Sequence, residues 1–149
     1  MEYAMLKHIL LAYDGSPAGR NALVQSRELA QWAGARLTLV AVVPNMIDSG
    51  LMEPGFYDLK SSLPEPSSYE QCLQEGLESL QAMGFKAKGQ VLRGDVIQEI
   101  TRCAEQLEAD LIVVGHRHEK NWVRRWWSGS TAKSLVESAP CSVLIVVTR

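Results

Sequence analysis

Two glycine-bearing stretches hold the residues best suited to chemistry. The first is Asp14-Gly15-Ser16-Pro17, an acid and a hydroxyl directly after the apolar run Ile9 to Tyr13. The second starts where Leu111-Ile112-Val113-Val114 meets Gly115 and closes at Gly129-Ser130-Thr131. An apolar run bounded by glycine suits a parallel strand buried on both faces, and Gly115 is expected to end it. Gly129 lets a ligand approach the main chain with no Cβ in between. Ser130 and Thr131 bring hydroxyls and amides to the start of a helix expected over Thr131 to Ser138. First-turn amides lack helical acceptors, and the helix dipole favours negative charge beside them, so a phosphate fits there. A plain Ser130 cap is the other use of the same residues.

Between those glycines, His116, Arg117, His118, Lys120, Arg124 and Arg125 face a single acid, Glu119, and the stretch holds Trp122, Trp126 and Trp127. Such a loop could clamp a polyanion, with a ring packed on a base. Alternatively the rings cover the end of the sheet while the cations reach solvent. The formal net charge of -2 argues against RNA or DNA as the partner. His116 and His118 lack a third ligand nearby in sequence, an incomplete metal site. Mg²⁺ carried in on phosphate oxygens, with Asp14 as its carboxylate, is the better-founded metal expectation. No nucleophile-elbow sequence surrounds Ser16, Ser128 or Ser130, and no carboxylate pair has acid/base spacing, so no efficient enzyme is expected and hydrolysis would be slow.

The elements that must position these groups follow from periodicity. Ile9 to Tyr13 is a strand. Ser16 caps a helix that has Pro17 first and ends at Gly34. Arg36 to Val43 is a second strand, and Lys86 to Leu92 a third, more polar one nearer an edge. Tyr69, Cys72, Leu73, Leu77, Leu80 and Met83 recur at helical spacing up to Gly84, and Asp95 opens another helix with a stripe from Val96 to Leu107. Leu111 to Val114 and Val143 to Val147 complete five strands. Strands alternating with helices require right-handed parallel crossovers, hence an α/β fold with helices on both faces of an open sheet. If the strand order is 3-2-1-4-5, strands 1 and 4 are neighbours where the winding reverses, and the two glycine-bearing loops flank one crevice. The segment Pro44 to Pro66, with four prolines plus Gly50 and Gly55, is too long for an ordinary connection and reads as a flap, a partner surface or a disordered segment.

The chain's 149 residues, 46% of them hydrophobic and 21% charged, suit one domain spanning 1–149. The N-terminus shows neither a signal peptide nor a spanning segment, so a cytoplasmic location away from membranes is expected. Cys72, Cys103 and Cys141 fall at apolar positions and read as packed, reduced thiols.

Three separated signatures now combine. Lys7-His8-Ile9-Leu10-Leu11-Ala12-Tyr13-Asp14-Gly15-Ser16, then Arg93-Gly94-Asp95, then Asp110 to Gly115 through Gly129-Ser130 to Ala139-Pro140-Cys141-Ser142-Val143-Leu144-Ile145-Val146 together resemble the universal stress protein family over essentially the whole chain. The resemblance implies an open five-stranded parallel sheet of order 3-2-1-4-5, adenine nucleotide alpha hydrolase-like, with frequent homodimers through the last strand. In one branch it implies bound ATP. Asp14, main chain around Ala12 and Tyr13, and Val42 would then face adenine and ribose, and Gly94 would count among the cofactor-binding residues. Gly115, His116, Arg117, His118, Gly129, Ser130 and Thr131 would lie along the phosphates of ATP, ADP or AMP. The ATP-binding branch has glycine where His118 stands, and one residue fewer before the closing Gly-Ser/Thr. That imidazole either fills phosphate space or donates to a phosphate oxygen. Three uses follow: a nucleotide-responsive stress or signalling protein, a dimeric interaction module without nucleotide, or a flavin or electron-transfer relative on a similar sheet.

Overall fold

A computed structural model describes residues 6–44, 66–117 and 129–148. Its elements in chain order are β1 (His8–Ala12), α1 (Pro17–Ala33), β2 (Arg36–Pro44), α2 (Pro66–Ala82), β3 (Lys88–Gly94), α3 (Val96–Gln106), β4 (Leu111–Arg117), α4 (Gly129–Ser138) and β5 (Ser142–Thr148). The strands form one sheet in the order β3-β2-β1-β4-β5, and every adjacent pair is parallel. The expected order 3-2-1-4-5 is the one found.

Strand alternation sorts the core into two layers. On one face Ile9, Leu11, Leu39, Ala41, Leu111 and Val113 pack against Ala22, Leu23 and Ala30 of α1 and Leu73 and Leu80 of α2. On the other, Leu10, Ala12, Val40, Val42, Ile112 and Val114 pack against Ile100, Cys103 and Ala104 of α3 and Leu135 of α4. The central strand β1 is buried at every position, as a strand covered on both sides must be. At the edge, β3 is largely polar and exposed, while β5 leaves Leu144 and Val147 partly in water, with Val136 of α4 also exposed.

Local chemistry sets the helix boundaries. Ser16 caps α1, its side chain accepting the Gly19 amide, and Gly34 closes the helix in the left-handed region at φ 68°. Asp95 caps α3 by accepting the Gln98 amide at 3.0 Å. Near the end of α1, Trp32 is 81% exposed.

Three sequence expectations shift. β4 does not stop at Gly115 but runs to Arg117, because Gly115, His116 and Arg117 continue to pair with Val146, Val147 and Thr148. β3 lies two residues later than expected, since its partners on β2 run from Thr38 to Pro44. The last helix starts at Gly129 rather than Thr131. The segment after Pro44 and residues 118–128, with His118, Lys120, Arg124, Arg125 and the three tryptophans, lie outside the described residues.

Candidate functional site

The central strand is shorter than its neighbours. β1 makes its last pairs through Ala12, opposite Val40 and Val114. Beyond that level β2 runs on through Ala41 to Pro44, and β4 through Gly115 to Arg117. At about 3.3 Å per residue the overhangs reach roughly 10 Å past β1, so the sheet has a notch at its carboxyl end. The winding also reverses here, where ligands gather in doubly wound folds.

Asp14-Gly15-Ser16 crosses the notch. Asp14 Oδ1 accepts both the Ser16 amide at 2.9 Å and the Ser16 hydroxyl at 2.6 Å. The hydroxyl oxygen in turn accepts the Gly19 amide at 3.0 Å, so one carboxylate oxygen organises the loop and caps α1 through Ser16. Gly15 holds φ 73°, and a Cβ there would lie 2.4 Å from Cys72 Sγ, so the turn requires glycine for its backbone and for the thiol beneath it.

Several buried groups surround this acid. Burial, then the Asp14 and Glu75 charges, push the Cys72 thiol up to about 11, so it stays protonated. Tyr13 is raised by burial first, and Tyr69 by burial and then by Asp14. The Arg20 guanidinium opposes that rise in Tyr13. Cys72 and Tyr69 were legible in the sequence only as core positions of a helix; no local signal puts them beside Asp14.

Gly115 also has a packing role that its position did not suggest. A Cβ there would lie 2.4 Å from Ala18 O, 2.6 Å from Ala18 C and 2.9 Å from Gly19 N. β4 and the first turn of α1 therefore meet backbone to backbone, and only glycine permits that spacing. The notch is closed on the α1 face by this contact.

The remaining expected site residues separate into groups. Ala12 and Val42 are buried at 2% and 0% exposure, so they can offer a ligand little but main chain. The Tyr13 amide already donates to Val40 O at 2.8 Å. His116 and Arg117 form the overhang of β4, and Gly129, Ser130 and Thr131 form the first turn of α4. Gly94 ends β3 opposite Pro44, across β2 from Asp14, and is the one expected residue set apart from the notch. Among the described residues no group of His, Cys, Asp or Glu could hold a metal ion.

The universal stress protein family model matches residues 5–147. This chain belongs to the universal stress protein family. A universal stress protein of Thermus aquaticus is 35% identical over 144 residues, covering 95% of this chain and 99% of its own length. One from Methanocaldococcus jannaschii is 30% identical over 142 residues, covering 95% and 82%. The crystal structure of a family protein from Burkholderia pseudomallei superposes with a TM-score of 0.69 at 28% identity, over 97% of this chain and 98% of that one. Two less similar structures share the fold and were solved with nucleotide. A universal stress protein in complex with cAMP has TM-score 0.69 and 18% identity, covering 98% and 100%. A family protein from Arabidopsis thaliana with AMP bound has TM-score 0.67 and 16% identity, covering 96% and 92%. No helix among the described residues is long and apolar enough to cross a membrane.

Proposed function

We propose that this universal stress protein binds an adenine nucleotide in the notch above β1 and serves as a nucleotide-responsive stress or signalling protein. The observation that carries the reading is Asp14 at the winding reversal, its carboxylate fixed through Oδ1 by the Ser16 amide and hydroxyl, where it can accept a ribose hydroxyl or the adenine amino group. The first turn of α4, from Gly129 to Thr131, supplies amides for phosphate oxygens. His116 and Arg117 on the β4 overhang, with His118 after it, add polar and cationic groups along the phosphates. Mg²⁺ would arrive on those phosphates, with Asp14 as a candidate protein carboxylate for it. Relatives of the same fold solved with AMP and with cAMP support the base and ribose part of this reading.

The test is thermal unfolding with millimolar ATP, ADP, AMP and cAMP, with and without Mg²⁺. Ligand at 100 times its dissociation constant adds about 2.7 kcal/mol of apparent stability, a readily measured rise. Gly129→Val is expected to abolish the rise, and no rise with any of the four nucleotides defeats the proposal. Mass analysis of small molecules released from the purified protein checks the same point.

A second reading rests on the β5 edge, where Leu144 is 38% and Val147 47% exposed beside an open row of backbone donors and acceptors. We infer that a second copy of the chain pairs there, giving a homodimer that can act as an interaction module with or without nucleotide. Sedimentation equilibrium at micromolar concentration showing monomer alone rules that dimer out.

A further inference from the structure

The opposite end of the sheet holds a buried polar cluster that nucleotide binding does not use. His8 opens β1 and is 6% exposed. Its Nδ1 lies 3.2 Å from Leu107 O, at the end of α3, and its Nε2 lies 2.7 Å from Thr38 Oγ1 on β2. A carbonyl can only accept, so Nδ1 carries the proton in the neutral ring and Nε2 accepts from the Thr38 hydroxyl. Both nitrogens are thus satisfied in one tautomer. Just beyond, Asp110 Oδ2 accepts the Lys7 amide at 2.8 Å and the His8 amide at 2.9 Å, and the Asp110 amide donates to His8 O at 2.8 Å. The turn from Leu107 to Asp110 is thereby tied to the start of β1, and through Thr38 to β2.

We propose that His8, clamped between the Thr38 hydroxyl and the Leu107 carbonyl, is an acid-released latch that holds the turn after α3 to the amino end of the sheet. Protonation turns Nε2 from acceptor into donor. The Thr38 hydroxyl must then rotate and surrender its own donor role, or two protons face each other across 2.7 Å. The charges around the ring are Lys7 before β1, Arg36 on β2, Lys88 on β3 and Asp110 from the turn. Burial is the largest influence and disfavours the imidazolium; Arg36 and Lys88 add to it, while the Leu107 bond and Asp110 oppose. The balance lowers His8 below its ordinary 6.5. With the folded value below the unfolded one, the latch is fully effective above pH 6.5 and is lost as the pH falls from there through the folded value. Each tenfold depression of proton affinity corresponds to about 3–6 °C of melting temperature in a domain of this size.

The experiment uses the full chain. The three imidazoles are followed by NMR across pH 8 to 4.5, melting temperatures are taken from pH 7.5 to 5.5, and amide protection of Asp110 is measured at both ends. His8→Gln keeps a group that reaches Thr38 and cannot take up a proton. The expected result is a His8 midpoint below 6.5, a falling wild-type melting temperature, loss of Asp110 protection on acidification, and a flatter pH profile in His8→Gln. A His8 midpoint at or above 6.5, or the same pH slope in both proteins, overturns the proposal. If His8→Gln does not fold, the wild-type midpoint and Asp110 protection decide alone, and unchanged protection overturns it.

Discussion

The two ends of this sheet are built on opposite plans. At the amino end, His8, Thr38, Leu107 and Asp110 satisfy one another through short bonds across three elements. At the carboxyl end, β1 stops short, Asp14 holds a loop rather than a neighbouring strand, and a left-handed glycine makes the turn. Satisfied polar groups stabilise an end, whereas a ligand site needs groups with capacity to spare. The contrast says that stability is concentrated away from the place where binding is proposed.

The strongest challenge to that contrast is Gly115, because the carboxyl end does hold one rigid contact. Gly115→Ala is expected to cost about 2–3 kcal/mol, since its Cβ would meet the Ala18 carbonyl and neither backbone can yield cheaply. A lower urea midpoint at unchanged m checks it. Loss below 0.5 kcal/mol would mean that α1 and β4 are not locked together.

Asp110→Asn strikes the other end. Replacing the charged acceptor of two amides is expected to cost roughly 1.5 kcal/mol, with faster exchange at Lys7 and His8. The Asp110 carboxyl lies below the ordinary 3.8, first because of its hydrogen bonds from the Lys7 and His8 amides. Its contribution is therefore complete above pH 3.8 and disappears as the pH falls through the lower folded value. In acid unfolding below pH 4, the wild type should lose stability that Asp110→Asn has already lost.

Ser16→Ala removes the α1 cap and one partner of Asp14 together. About 1 kcal/mol of destabilisation is expected by thermal unfolding, with a change in nucleotide affinity if the proposed site is used. Arg102→Ala gives the smallest effect. Its pair with Glu99 spans 3.2 Å, but Arg102 is 61% exposed, so the unfolding free energy should move by less than about 0.5 kcal/mol.

Much of the carboxyl end was legible in the sequence because its signals are local. A cap such as Ser16 before Pro17, a helix stop such as Gly34, and alternation of strand and helix each act within a few residues and converge on the order 3-2-1-4-5. Gly115 was misread for the complementary reason: a glycine after four apolar residues looks like a stop, while its use depends on α1, far away in sequence. The two-residue shift of β3 has the same origin, since β2 sets which residues pair. The His8 cluster went unread although a clue was present. His8 and Thr38 are the buried polar residues of two mainly apolar strands, and such residues generally have each other, or something similar, as partner.

Trp32 gives the molecule a built-in optical reference. It stands in water near the far end of α1, about 22 Å along the helix from Pro17. Its emission should be red, open to aqueous quenchers and indifferent to what happens at Asp14. In a Trp32→Phe protein the tryptophan fluorescence comes from Trp122, Trp126 and Trp127 alone, all in the stretch of sequence that joins β4 to α4, so removing one surface indole isolates the light from that connection.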